Sequence, residues 1–341
     1  MQVDGAVLLD GRRSGGDIMR GLSGLMVAVL AGSVAIACSG GDKGGGSEDS
    51  GGAGEGGGGS GGDGGGGGGS FEDFINTSVS PEGDFTGFET GHEGAGGWLD
   101  PGTPDSSCVV ERPVQTKVED FENGHGVAEA TVEIWYADAV SGAPDVTMTS
   151  DSSGNVSGDS SLVCQPLTYK VATDPALDDT KPTFEAHVVY TYTSGEIDEY
   201  FNSVAKSTYQ LIPSLLGVSV DPAKGTAAGT VYDINGDPVK GAQVVVTSTG
   251  GDIAGDTVVK YFVEEFPNRE QPETSEDGLW VAVNIPPGDW TIDAYVSDGA
   301  GGHMLMGRTT VTIFADSINI GNIHVGYEGV KIPENCLTAC E

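Results

Sequence analysis

The chain has 341 residues and carries 51 acidic against 15 basic side chains, a formal net charge of −36. A surface this negative is repelled by phosphate backbones, which excludes nucleic acid as a partner, and it leaves carboxylates available to cations such as calcium. Fifty-seven glycines crowd toward the front, so the chain does not divide into evenly filled domains.

Residues 1–37 read as a signal peptide. Arg20 precedes the uncharged apolar run "LSGLMVAVLAGSVAIA" (22–37), and Met19 offers an alternative start. The run is too short and too rich in small residues for a comfortable spanning helix. Its end, Ala35-Ile36-Ala37-Cys38, resembles the lipobox of bacterial lipoproteins, with Ala35 standing where leucine is usual. The resemblance implies cleavage before Cys38, acyl chains on its thiol and new amine, and attachment to a membrane. Two or three chains hold a protein firmly where one does not. The Ser39-Gly40 that follows offers no aspartate-type retention signal, which by the same analogy favours the outer membrane over the inner.

Residues 38–107 are expected to form a disordered tether. Between 39 and 70, glycine occupies 20 of 32 positions, and such a chain cannot offset its conformational entropy by burial. As a coil it would separate its ends by about 30 Å. Beyond it, "FEDF" (71–74), "FTGF" (85–88) and Trp98 add aromatic residues that are expected to fold back onto the nearest domain.

From residue 108 apolar and polar residues alternate, between turns of Gly, Asp, Asn and Pro. Ala130, Val132 and Ile134 share one strand face, as do Ala242, Val244 and Val246. The stretch "KVEDFENGHGVAEATVEIW" (117–135) lies over "TVYDINGDPVKGAQVVVTS" (230–248), with one extra residue in its first turn. "SDSSGNVSG" (150–158) then parallels "TSEDGLWVA" (274–282), and "QPLTYKVAT" (165–173) parallels "PPGDWTIDA" (286–294). Three blocks in one order indicate a duplicated domain.

The second copy carries Gly229, Val231, Asp233, Gly236, Pro238, Val239, Gly241, Ala242 and Val244, then Asp277-Gly278 and Pro286-Pro287-Gly288. In that order and spacing it resembles the carboxypeptidase regulatory-like domain. The resemblance implies a transthyretin-like β-sandwich, grouped with carbohydrate-binding-like folds. The first copy departs from the pattern, with Glu129 and Leu167 in place of glycines. The expected fold is therefore all-β, with tandem transthyretin-like sandwiches over 108–201 and 218–328. A short helical or turn connector spans 202–217, interrupted by Pro213 and stopped at Gly217, and a tail spans 329–341.

With Cys38 set aside, Cys108, Cys164, Cys336 and Cys340 form an even set suited to disulfides in an exported protein. Three pairings are possible. The favoured one joins Cys108 to Cys164 across one domain and Cys336 to Cys340 in a small loop.

Little in the chain points to catalysis. The five histidines (His92, His125, His187, His303, His324) are scattered without zinc spacing, and the Gly-x-Ser-x-Gly spacing at residues 58–62 falls in the glycine string, not at a strand-to-helix elbow. The loop "DINGD" places oxygen donors at Asp233, Asn235 and Asp237, a candidate calcium site that turn chemistry also explains; "DSSGNVSGD" (151–159) is a second loop of this kind. Trp135 and Trp280, if they face outward, are candidates for stacking on sugars. The resulting expectation is a non-enzymatic cell-envelope lipoprotein that displays tandem modules for adhesion, envelope organisation or binding, with a protein or glycan partner. A carbohydrate-binding module and an accessory subunit of an envelope enzyme are the alternatives.

Overall fold

The alternating stretches after residue 108 form strands in the computed structural model, which describes residues 81–85, 97–174, 176, 180–191, 195–248, 255–264, 266–298 and 302–340. The expected signal peptide, Cys38 and the glycine string lie outside these residues. The first module holds β1 (Glu111–Asp120), β2 (Thr131–Trp135), β3 (Val146–Thr149), β4 (Asn155–Leu162), β5 (Leu167–Ala172), β6 (Thr180–Lys181), β7 (Thr183–Val188) and β8 (Phe201–Ala205). Helix α1 (Lys206–Leu216) follows. The second module holds β9 (Gly225–Tyr232), β10 (Ala242–Ser248), β11 (Val258–Val263), β12 (Phe266–Asn268), β13 (Leu279–Ile285) and β14 (Gly288–Ser297). It is completed by β15 (His303–Ile313), β16 (Ile318–Ile320) and β17 (Ile323–His324).

The duplication is visible in the strand pairing. β1 pairs antiparallel with β4 and parallel with β8, as β9 pairs with β13 and β16. β2 pairs antiparallel with β5 and β5 with β7, as β10 pairs with β14 and β14 with β15. One hydroxyl relay occurs in both copies: Ser150 donates to the Val127 carbonyl and accepts from Ala130 N–H, as Thr274 does with Val239 and Ala242. Glu129, standing where the second copy has Gly241, holds a left-handed φ of 53° against 82° for the glycine. The backbone demand persists although the residue that meets it without strain is gone.

Each module is a two-sheet sandwich with its own core, one built around Ile134, Leu167, Tyr169 and Phe201, the other around Trp280, Ile285, Ile292 and Ile313. The sandwiches are fused. β16 pairs in parallel with β9 on one side and β7 on the other, so a ten-stranded sheet joins one face of each module. Phe184 stacks on Phe314 across this seam at 4.1 Å between ring centroids, and Lys181 Nζ lies 2.7 Å from Asp316.

The connector differs from its expected bounds, because residues 202–205 continue β8 and the helix begins at Lys206. Pro213 lies inside the helix, and Gly217 caps it at φ 73°, where a glycine is unstrained. Tyr209 and Leu216 pack onto the ten-stranded sheet with Ile318, Ile320, Val281 and Val283.

The segment expected to be tether through residue 107 is docked wherever it is described. Glu82 exchanges backbone hydrogen bonds with Lys240, and Phe85 and Trp98 pack on the second core. Of the four aromatics in the two Phe-x-x-Phe pairs, Phe71, Phe74 and Phe88 lie outside the described residues. Arg308 sits 5.7 Å from the Trp98 ring while pairing with the buried Asp293 at 2.6 Å. Aromatic residues and hydrogen-bonding backbone give this stretch a burial gain that offsets the entropy of ordering it.

The cysteines pair as Cys108–Cys340 and Cys164–Cys336, not in the favoured pattern. After β17 the chain returns to the first module: Ile332 N–H bonds Pro101 O, Asp105 N–H bonds Cys336 O, and Ile332 and Cys336 enter the first core. The tail thus brings each of its cysteines to a different first-module partner, a tertiary placement that sequence distance does not encode.

Candidate functional site

Both candidate stacking tryptophans are buried. Trp280 is 1 % exposed and belongs to the second core. Its strand has no free face, because Val281 and Val283 on the opposite side meet helix α1. Trp135 is 6 % exposed, with its indole N–H 3.4 Å from the Gly142 carbonyl in the β2–β3 loop. Neither ring presents a face to a sugar.

The candidate calcium loop is a turn closed on itself. Asp233 Oδ1 accepts from the backbone N–H of Asn235 and Asp237, at 2.8 and 3.0 Å, and Oδ2 accepts from Asp84 N–H at 2.7 Å. Asn235 Nδ2 donates to Asp84 at 2.9 Å. Donors occupy the oxygens a cation would need, which is turn chemistry. Asp151 does the same for Ser153 and Asn155 in the second loop. No cluster of three or more metal-ligating side chains occurs among the described residues.

The chemistry gathers instead in a cleft of about 390 Å³ at the junction of the modules and the tail. β1, β5, β7 and β8 contribute one wall, the end of β9 with β17 another, and Val330, Lys331 and Pro333 the rim. At its centre, Glu185 on β7 accepts hydrogen bonds from the Tyr169 hydroxyl and, at 2.9 Å, from Asn202 Nδ2. Asn202 N–H in turn donates to the Tyr169 hydroxyl at 2.9 Å. Burial raises the Glu185 pKa against these bonds. Burial also pushes Glu199 up to about 7, with the charges of Asp198 and Glu185 adding to it. Tyr190, 2 % exposed, has a hydroxyl with no hydrogen-bond partner. Its pKa is well above the usual phenol range through burial and the charges of Glu199 and Glu185.

On the opposite wall His324 stacks on Tyr232 at 5.4 Å, and burial, then His187 and Lys331, push its pKa down to about 4. The ring is therefore neutral at physiological pH. The pairing of β5 with β7 shifts register between Leu167 and Tyr169, and in the bulged segment His187 takes a left-handed φ of 60°. Bulges re-aim side chains. His187 lies 2.7 Å from the Thr310 carbonyl of the second module and 3.3 Å from Asp138 of the first, joining the two.

Sequence reading missed this cleft. Glu185, Glu199 and Tyr190 sit in no motif, and no local pattern links Glu185 on β7 to Glu199 in the segment before β8.

No protein-family model matches the chain, and no curated protein matches it. Among solved structures it is similar to the Bacillus anthracis TIE protein, at 15 % identity over 65 % of this chain and 35 % of that one, with a TM-score of 0.20. It is also similar to BcpA, the major pilin subunit of Bacillus cereus, at 17 % identity over 67 % and 58 %, TM-score 0.21. A third is the shaft pilin SpaA from Lactobacillus rhamnosus GG, at 9 % identity over 64 % and 98 %, TM-score 0.18. The chain spans about a third of the TIE protein's length and over half of BcpA's. At such TM-scores the likeness bears on no residue or role of this chain.

Proposed function

We propose that this chain is a non-enzymatic, lipid-anchored protein of the cell envelope that displays a fused pair of β-sandwiches for binding. The observation that carries the reading is the order of parts in one chain. An apolar run ends at Cys38, a glycine string follows, and a body closed by two disulfides comes last. Disulfides belong to exported proteins, and a flexible spacer is useful to a body held at a surface. The membrane is the partner at the anchor, the outer membrane by the residues after Cys38, and the partner of the body is a protein or glycan.

The carboxypeptidase regulatory-like reading of the second module is supported by what its glycines do. A Cβ at Gly229 would meet the Gly321 carbonyl oxygen at 2.5 Å, and Gly278 holds φ 65° with the Val231 carbonyl oxygen 2.8 Å from its would-be Cβ. Both motif positions exclude a side chain for reasons of packing.

The test is metabolic labelling with an alkyne fatty acid in a bacterial host. The wild-type chain is expected to take label and sediment with membranes, and Cys38→Ser is expected to lose both. An unlabelled wild type, or a Cys38→Ser variant still labelled and membrane-bound, overturns the anchor.

A further inference from the structure

We propose that the cleft between the modules binds an organic ammonium ion, with Glu185 and Glu199 as its counter-charges and the Tyr190 hydroxyl as a hydrogen-bonding partner. This names a ligand class for the displayed body. It rests on the display reading, but its test reads binding and is indifferent to the anchor.

Charge is the first argument. Glu119, Asp120, Glu185 and Glu199 line the cleft, Lys331 is the lysine facing them, and the neutral His324 and the interface-bound His187 complete the titratable set with the tyrosines. Asp120 is occupied by the backbone N–H groups of Glu122 and Ala205. Glu185 is bound by neutral donors, so no cation compensates its charge in the bonds it makes. A carboxylate withdrawn from water without a counter-ion is costly, and a bound cation would relieve that cost.

The second argument is independent of charge. The Tyr190 hydroxyl is buried and unpartnered, and Tyr190 lines the cleft. Most buried hydroxyls find a partner, and an orphan beside two acids marks the place of a missing group. The third is the lining. Phe121, Tyr169, Tyr190, Tyr200 and Tyr232 surround the acids, and aromatic rings attract desolvated organic cations. A bare metal ion fits this lining poorly, since the described residues bring no three ligating side chains together. An ammonium on an alkyl chain uses acids and rings at once.

The experiment is titration calorimetry on the full chain in detergent. The probes are 1,5-diaminopentane as a free amine, the peptide acetyl-Gly-Lys-Gly-amide as a protein-borne one, and 1,5-pentanediol as the uncharged control. Saturable binding of either amine and none of the diol is expected, and which amine binds more tightly identifies the source. Glu199→Gln and Glu185→Gln are expected to weaken binding on the order of tenfold, as for the loss of one charged hydrogen bond. Tyr190→Phe removes an unpaired hydroxyl, so it should leave thermal stability unchanged or raised while weakening the amine a few-fold. Glu111→Gln, at an exposed position at the start of β1 and outside the cleft, should change nothing, which separates the site from counter-ion binding by an acidic surface. Equal binding of the diol, or amine affinity the same in wild type, Glu199→Gln and Tyr190→Phe, overturns the proposal. An unlabelled Cys38 would leave it standing.

Discussion

Two residues on facing walls of the cleft push the protein's pH response in opposite directions. Burial raises Glu199 to about 7, above its ordinary 4.5, so its contribution to stability is complete below pH 4.5 and is lost as pH rises through 7. Burial lowers His324 to about 4, below its ordinary 6.5, so its contribution is complete above pH 6.5 and is lost as pH falls through 4. Between pH 4.5 and 6.5 the slopes offset. Glu199→Gln should therefore make stability rise more steeply with pH across that window, and His324→Gln should make it fall. Urea midpoints measured from pH 4 to 8 would show this. Parallel profiles for wild type and both variants would show that neither group is buried as described.

At the scale of elements, the three-residue strand β16 decides whether the molecule is two bodies or one. It pairs with β9 within its own module and with β7 of the other, and Ile318 and Ile320 are both buried against helix α1. Ile320→Pro removes a ladder donor in a strand paired on both sides, where proline is not tolerated. The expected result in calorimetry is one unfolding transition split into two. Ile320→Val keeps the ladder and should retain a single transition, at a cost of about 0.5–1.5 kcal/mol. A single unshifted transition in Ile320→Pro would show that β16 carries no coupling. Elements of this kind divide sharply in how legible they were. The duplicated strands announced themselves through alternation, the Ser150 and Thr274 turns and the aligned glycines, because those signals are local. β16 is three residues long and pairs with residues some 90 and 135 positions away. No local pattern records a parallel partner at that distance.

The whole molecule is closed by its tail. Cys340 returns to Cys108 and Cys336 to Cys164, so a covalent loop of 232 residues encloses both modules and one of 172 residues runs from just before β5 to the tail. Loops of this length constrain the unfolded chain strongly, and removing one is expected to cost about 2–4 kcal/mol. The double variant Cys164→Ser, Cys336→Ser should lose that amount in urea unfolding, and the first core should loosen, because Cys336 and Ile332 are part of it. Non-reducing peptide mapping should find 108 linked to 340 and 164 to 336. Recovery of a 336–340 loop would restore the pairing favoured by sequence distance.

By itself the sequence determined the all-β class, the duplication, a connector stopped at Gly217 and the even set of cysteines after Cys38. It also carries the glycine string and the lipobox-like end of the apolar run, readings that rest on composition and short motifs. Each of these follows from residues close together in the chain, where backbone demands and side-chain period act. Tertiary structure alone decided the rest: the cysteine pairing, the shared ten-stranded sheet, the burial of Trp135 and Trp280 and the cleft around Glu185 and Glu199. Strand alternation says that a side chain has a face, but which face meets a helix, a loop or water depends on what the rest of the chain brings to it. Trp280 is buried on one side of its strand and Val281 on the other because a duplicated module and its connector helix close over both.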